Sequence, residues 1–122
     1  MIPDSVMSIG SQVFFNCSKL TNVTIGNGVT SIGEEAFMIC SRLTVITIGN
    51  SVTSIGSKAF RQCNELMSVT IPDSVTSIGA SAFYNCSRLT SVVFKGKTLA
   101  QIQEMENYPW EISDTSIITV EP

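Results

Sequence analysis

Cys17, Cys40, Cys63 and Cys86 are the side chains of this sequence best suited to chemistry, and they stand 23 residues apart. A thiol becomes a nucleophile when a base or a positive neighbour takes its proton. Histidine is absent from all 122 residues, so Cys–His and Ser–His arrangements are excluded. Its absence also removes the usual nitrogen ligand of zinc, and no C-x-x-C pair compensates. The glutamates at 34, 35, 65, 104, 106, 111 and 121 show no spacing that sets two carboxylates across a scissile bond. The expectation is a chain that is not an enzyme and needs no cofactor or metal.

Because the cysteines recur in phase, they are expected to stack as a ladder. Rungs about 5 Å apart lie within disulfide reach. The side chains would nevertheless run parallel into the core rather than towards one another. Small buried hydrophobes are the reading that follows.

The elements that position them share the same step. It links Phe14, Phe37, Phe60 and Phe83, then Leu20, Leu43, Leu66 and Leu89, then Ile9, Ile32, Ile55 and Ile78. A fixed apolar period of this length marks a solenoid, because each coil buries its apolar side only against its neighbours. One period runs from Leu66 as LMSVTIPDSVTSIGASAFYNC. Its opening, like Leu20 to Ile25, is apolar at positions one, four and six, the L-x-x-L-x-L strand of a leucine-rich repeat. Turn residues follow: Gly26-Asn27-Gly28, Gly49-Asn50-Ser51 and Pro72-Asp73-Ser74. A second extended piece comes next, as at Val52 to Ile55, and Gly56 ends it. Ser57-Lys58-Ala59-Phe60 then suggests a helical or 3₁₀ turn, with the phenylalanine plugging the coil. Val13 replaces the alanine found at 36, 59 and 82, so the leading repeat is atypical.

The fold class expected is an α/β-type repeat solenoid, mostly β, of about four 23-residue coils. Residues 1–94 form the array and residues 95–122 a carboxy-terminal cap of helix plus strand. Thr98 with Gln101 resembles a capping box for a helix reaching about Glu106, its stripe formed by Leu99, Ile102 and Met105. Tyr108 and Trp110 belong to the cap, and Ile117 to Val120 reads as a last strand. At the other end Ile2-Pro3-Asp4-Ser5-Val6 matches Ile71-Pro72-Asp73-Ser74-Val75, so the sequence starts in mid-repeat. Ile2, Val6, Ile9 and Phe14 are expected to face an open end, an association hazard. The favoured expectation is a carboxy-terminal piece of a longer array, and the alternative is a homo-oligomer in which two chains pair head to head. Met1 leads straight into that repeat, without the basic segment and apolar run of a signal peptide.

The string I-P-x-S-V-T-S-I-G-x-x-A-F-x-x-C-x-x-L-T-S-V-x-I closely resembles the BspA-like, treponemal-type leucine-rich repeats, over about residues 2 to 94. The ending F-K-G-K-T-L-A-Q-I-Q-E-M-E-N-Y-P-W looks like a segment that follows such arrays in gut bacterial proteins. The resemblance implies a curved, right-handed solenoid of a cell-surface or secreted protein from a host-associated bacterium. It also implies a role in adhesion or protein binding.

Charge narrows the partner. A net charge of −3 without a basic run argues against nucleic acid, and no apolar stretch reaches the ~18 residues needed for membrane insertion. A protein, such as a host or matrix surface protein, is the expected partner. The outward positions of the first strand line the sheet that leucine-rich repeats present on their concave side. They are Thr21, Thr44, Met67 and Thr90; Asn22, Val45, Ser68 and Ser91; and Thr24, Thr47, Thr70 and Val93. Alternatives are an oligomeric viral or phage receptor-binding tip and, through the Thr30, Thr53 and Thr76 ladder, an ice- or glycan-binding array. Asn16, Asn22 and Asn85 open Asn-x-Ser/Thr sequons, and the first and last read as turn residues before a core cysteine.

Overall fold

Each 23-residue period closes one three-sided coil in the computed structural model, which describes residues 2–121. Two sides are strands. The first sheet joins β1 (Ser8–Ile9), β3 (Ser31–Ile32), β5 (Ser54–Ile55) and β7 (Ser77–Ile78) in that order. The second joins β2 (Asn22–Thr24), β4 (Val45–Thr47), β6 (Ser68–Ile71), β8 (Ser91–Lys95) and β9 (Ile118–Glu121). Every pairing is parallel, and within the array its register equals the period, so Val23 pairs with Ile46, Ile46 with Val69 and Val69 with Val92. Ile2 adds an isolated bridge to Ile25. The stack therefore extends the four expected coils to about five, because β9 supplies a further rung.

The third side departs from expectation. Ser57 to Phe60 form no helix; this side is a run of hydrogen-bonded turns. Glu35, Ile39, Lys58, Gln62, Ser81 and Asn85 take φ of 58° to 62° there, as do Gln12 and Asn16. The left-handed residues stand four apart in each coil, and every second N–H is aimed along the stack. Glu35, Phe37 and Ile39 thus donate to the carbonyls of Ser57, Ala59 and Arg61 at 3.0, 2.8 and 2.8 Å. A helical turn would keep those N–H groups within one coil and leave the stack unjoined on this side. Pairing between coils outweighs local propensity.

Inside, Phe14, Phe37, Phe60 and Phe83 form one column, with ring centroids 5.1, 5.5 and 5.6 Å apart. Beside it lie Val29, Val52 and Val75, and Ile32, Ile55 and Ile78, all buried. Gly33, Gly56 and Gly79 are needed where coils touch: an added Cβ would come within 2.6, 2.5 and 2.3 Å of backbone in the preceding coil.

The cap is shorter and more deeply packed than the sequence suggests. Its helix α1 spans Leu99–Gln103 rather than reaching Glu106, and Thr98 and Gln101 form the expected capping box. So short a helix turns only one residue inward: Ile102 is buried, whereas Leu99 is exposed. A 3₁₀ turn at Thr115–Ile117 leads into β9, which begins one residue later than expected. Trp110 is wholly buried, stacks on Phe94 at 5.5 Å and meets the edge of Tyr108 at 5.4 Å. Its indole N–H donates to the Glu106 carbonyl at 3.1 Å. Among the described residues no helix is long and apolar enough to cross a membrane.

Candidate functional site

Strand alternation builds the candidate surface. In β2, β4, β6 and β8 the central Val23, Ile46, Val69 and Val92 point into the core and are buried. Their flanking residues therefore share the opposite face. Register sets Asn22 beside Val45, Val45 beside Ser68 and Ser68 beside Ser91. Likewise it sets Thr24 beside Thr47, Thr47 beside Thr70 and Thr70 beside Val93. None of these eight is buried, and Val45 is 39% exposed.

Thr21, Thr44, Met67 and Thr90 lie just ahead of the strands, and Met67 is 52% exposed. Two of the hydroxyl protons there are committed internally: Thr44 Oγ1 donates to the Thr21 carbonyl at 2.9 Å and Thr90 Oγ1 to Met67 at 3.2 Å. This row thus offers less free donor capacity than its composition suggests.

The structure also supplies residues that the sequence reading missed. Thr119 of β9 pairs beside Val93 and continues that column, while Glu121 pairs beside Lys95, Nζ to Oε1 3.9 Å. A hollow of about 340 Å³ opens over this sheet, bounded by Val45, Thr47, Ser68, Thr70, Pro72 and Lys95, among others. The apolar–polar alternation of Ser91 to Lys95 could have flagged Lys95 as outward. Thr119 was reachable only by pairing β9 with β8, which no local signal dictates.

The cysteines are placed as expected from their phase. Cys40 and Cys63 are buried, Cys17 and Cys86 are half-buried, and all are free thiols. Each of the last three donates its S–H to a phenylalanine carbonyl one coil back, Cys40 to Phe14, Cys63 to Phe37 and Cys86 to Phe60, at 3.1 Å. Burial pushes the Cys40 thiol up to about 11 and the Cys86 thiol up to about 12, and Cys63 higher still. Such thiols stay protonated at neutral pH and are poor nucleophiles. No group of three His, Cys, Asp or Glu side chains is arranged to hold a metal among the described residues.

The threonine ladder is tied down as well: Thr30, Thr53 and Thr76 Oγ1 donate to the Met7, Thr30 and Thr53 carbonyls at 3.2, 3.1 and 3.2 Å. At the amino-terminal end Ile2, Val6 and Phe14 are half-buried around a shallow apolar hollow of about 220 Å³. Ile9, expected to be open there, is only 4% exposed because β3 and the core cover it.

The description "BspA type Leucine rich repeat region (6 copies)" matches over residues 1–108. The chain belongs to this family. The BspA-type repeat fits a leucine-rich repeat protein from Bacteroides ovatus at 34% identity and a TM-score of 0.80, over 95% of this chain. It fits one from Bacteroides capillosus at 32% identity and 0.69, over 75%. A leucine-rich cell surface protein from Faecalibacterium prausnitzii is 31% identical, with a TM-score of 0.52 over 74% of the chain. These matches span 28%, 64% and 33% of the respective relatives, so the chain corresponds to only part of each. No curated protein matches it.

Proposed function

We propose that this leucine-rich repeat solenoid is a non-enzymatic protein-binding module of a cell-surface or secreted protein, and that it binds through the face of the five-stranded sheet. The observation that carries the reading is the hollow over β4, β6 and β8, where Val45, Thr47, Ser68 and Thr70 meet Lys95. Solenoids bind through such extended sheet faces. A largely neutral, hydroxyl-rich face with a few apolar points suits a protein surface, in which a small number of buried anchors dominate affinity. Val45 and Met67 are those anchors. Surface location draws support from the Faecalibacterium relative, described as a cell surface protein. A host matrix or epithelial surface protein is the partner class proposed.

The test is surface plasmon resonance of the chain against a panel of matrix and epithelial surface proteins, beside a Val45→Asp, Met67→Asp double variant. Both side chains are exposed, so the variant keeps its fold. Saturable binding that weakens at least tenfold in the variant supports the sheet face. Equal binding by both proteins sinks that assignment.

A further inference from the structure

The position that follows the stacked phenylalanine does not repeat. It holds Phe15, Met38, Arg61 and Tyr84, four different large side chains, whereas the position before that phenylalanine holds Val13, Ala36, Ala59 and Ala82. Equivalent coils need equivalent residues wherever they pack, so a position free to differ is not one that the core dictates. The N–H groups of Asn16, Ile39 and Gln62 donate to the carbonyls of Met38, Arg61 and Tyr84, each at 2.8 Å. The four residues therefore stand on successive rungs of the turn side, about 5 Å apart.

This column faces outward. Phe15 is 39% exposed and Tyr84 43%. Met38 is buried yet stands outside the core cluster, with Phe15 and Arg61 one rung away on either side. Arg61 is half-buried, its guanidinium carbon 5.1 Å from the centre of the Tyr84 ring. Its Nε is closed to solvent and has no hydrogen-bond partner. Arg61 forms no ion pair among the described residues, and neither does Lys58 of the same turn. Glu35 of the preceding coil does not serve them: its Oε1 accepts from Gln12 Nε2 at 2.7 Å.

A cation partly stripped of water and left without a counter-ion has lost hydration that a carboxylate replaces well. Stacking on Tyr84 fixes the plane of the guanidinium in advance, so little further order is lost when it pairs. Beside it, Phe15 and Met38 supply an apolar strip. Aromatic residues, methionine and arginine are the types enriched where proteins bind one another.

We propose that the column of Phe15, Met38, Arg61 and Tyr84 is a second docking surface, separate from the sheet face, for an extended segment of another protein that carries an aspartate or glutamate. The carboxylate would accept from the Arg61 guanidinium, and an apolar side chain of the segment would lie over Phe15 and Met38. Three rungs span about 15 Å, the reach of roughly five extended residues.

The experiment selects peptides for the whole chain from a displayed random library and measures the enriched ones by fluorescence polarisation. The unaltered chain is compared with Arg61→Met, Arg61→Lys and the Val45→Asp, Met67→Asp double variant, each checked by circular dichroism. The expected peptides carry an acidic residue within about four positions of an aromatic or aliphatic one. They should bind Arg61→Met about tenfold more weakly or worse, and Arg61→Lys should recover only part of the loss. Exchanging the peptide's acidic residue for its amide should cost a similar factor against the unaltered chain and little against Arg61→Met, a comparison that stands even if one variant folds poorly. The double variant should bind these peptides unchanged. Enrichment of peptides without an acid, no enrichment at all, or equal binding by Arg61→Met overturns the proposal. Loss in the double variant overturns it too, by moving the peptides to the sheet face. So does a discrete dimer in light scattering that Arg61→Met dissolves, which would give the column to a second copy.

Discussion

The backbone N–H of Phe83 donates to the carbonyl of Trp110 at 3.3 Å, in the place where Phe14, Phe37 and Phe60 donate to Ala36, Ala59 and Ala82. The cap therefore closes the stack by imitating the next coil rather than by lying across it. β9 does the same for the long sheet, and the Trp110 ring covers Phe94. Asn107 Nδ2 adds a bond to the Ile78 carbonyl at the end of the short sheet, 3.3 Å.

Trp110→Ala should therefore unfold more than a loop. Truncating a fully buried aromatic costs ~3–5 kcal/mol, and here the hydrogen bond to Phe83 is put at risk too. Urea unfolding followed by circular dichroism should show that loss, with amide exchange of Phe83 rising before that of Phe37.

Phe60→Ala, in mid-stack between two rings, should likewise lose ~3–5 kcal/mol. Phe14→Ala should lose clearly less, because Phe14 is half-buried and has a ring on one side only. Equal losses in urea melts would show that the column does not act through stacking neighbours.

Gly56→Ala should destabilise by ~1–3 kcal/mol, the range for forcing atoms into packed space, since its Cβ would sit 2.5 Å from Glu34 backbone. Guanidinium unfolding of that variant decides the point. A neutral result would mean that adjacent coils separate easily.

Ile39 is a β-branched residue held at φ 61°, where Asn16 and Asn85 stand in the equivalent turns. Branching at Cβ makes this conformation unfavourable, while asparagine tolerates it. Ile39→Asn should raise stability by about 1 kcal/mol despite its lost apolar surface. A lower melting temperature would show that burial of Ile39 outweighs the backbone term.

Alkali should loosen the fold through its thiols. In the unfolded chain they ionise near 9, whereas burial holds Cys40 near 11 and Cys86 near 12. Above pH 9 the unfolded state has lost protons that the folded state keeps, so stability is whole below 9 and falls as pH rises towards 11 and 12. A Cys40→Ala, Cys63→Ala double variant should flatten that decline, and the wild-type Cys40 and Cys63 should resist a thiol reagent at pH 7.5 until unfolded.

Much of this was legible without coordinates. The 23-residue recurrence of phenylalanine, leucine, isoleucine and cysteine determined the coil, its core residues and the inward direction of the thiols, because a side chain repeated in phase can only stack. Strand alternation determined which residues share the outward face. The left-handed turns on the third side were not legible: Glu35, Ile39, Lys58 and Gln62 are not residues that announce positive φ, and only pairing with the next coil holds them there. The break in the period after Phe94 was legible, but the pairing of β9 with β8 was not, nor the use of the Trp110 carbonyl as a substitute rung. Those depend on contacts between residues tens of positions apart with no periodicity to relate them. Local sequence governs what repeats; the unrepeated end, and with it Thr119 beside Val93 on the candidate face, is decided only when the chain packs on itself.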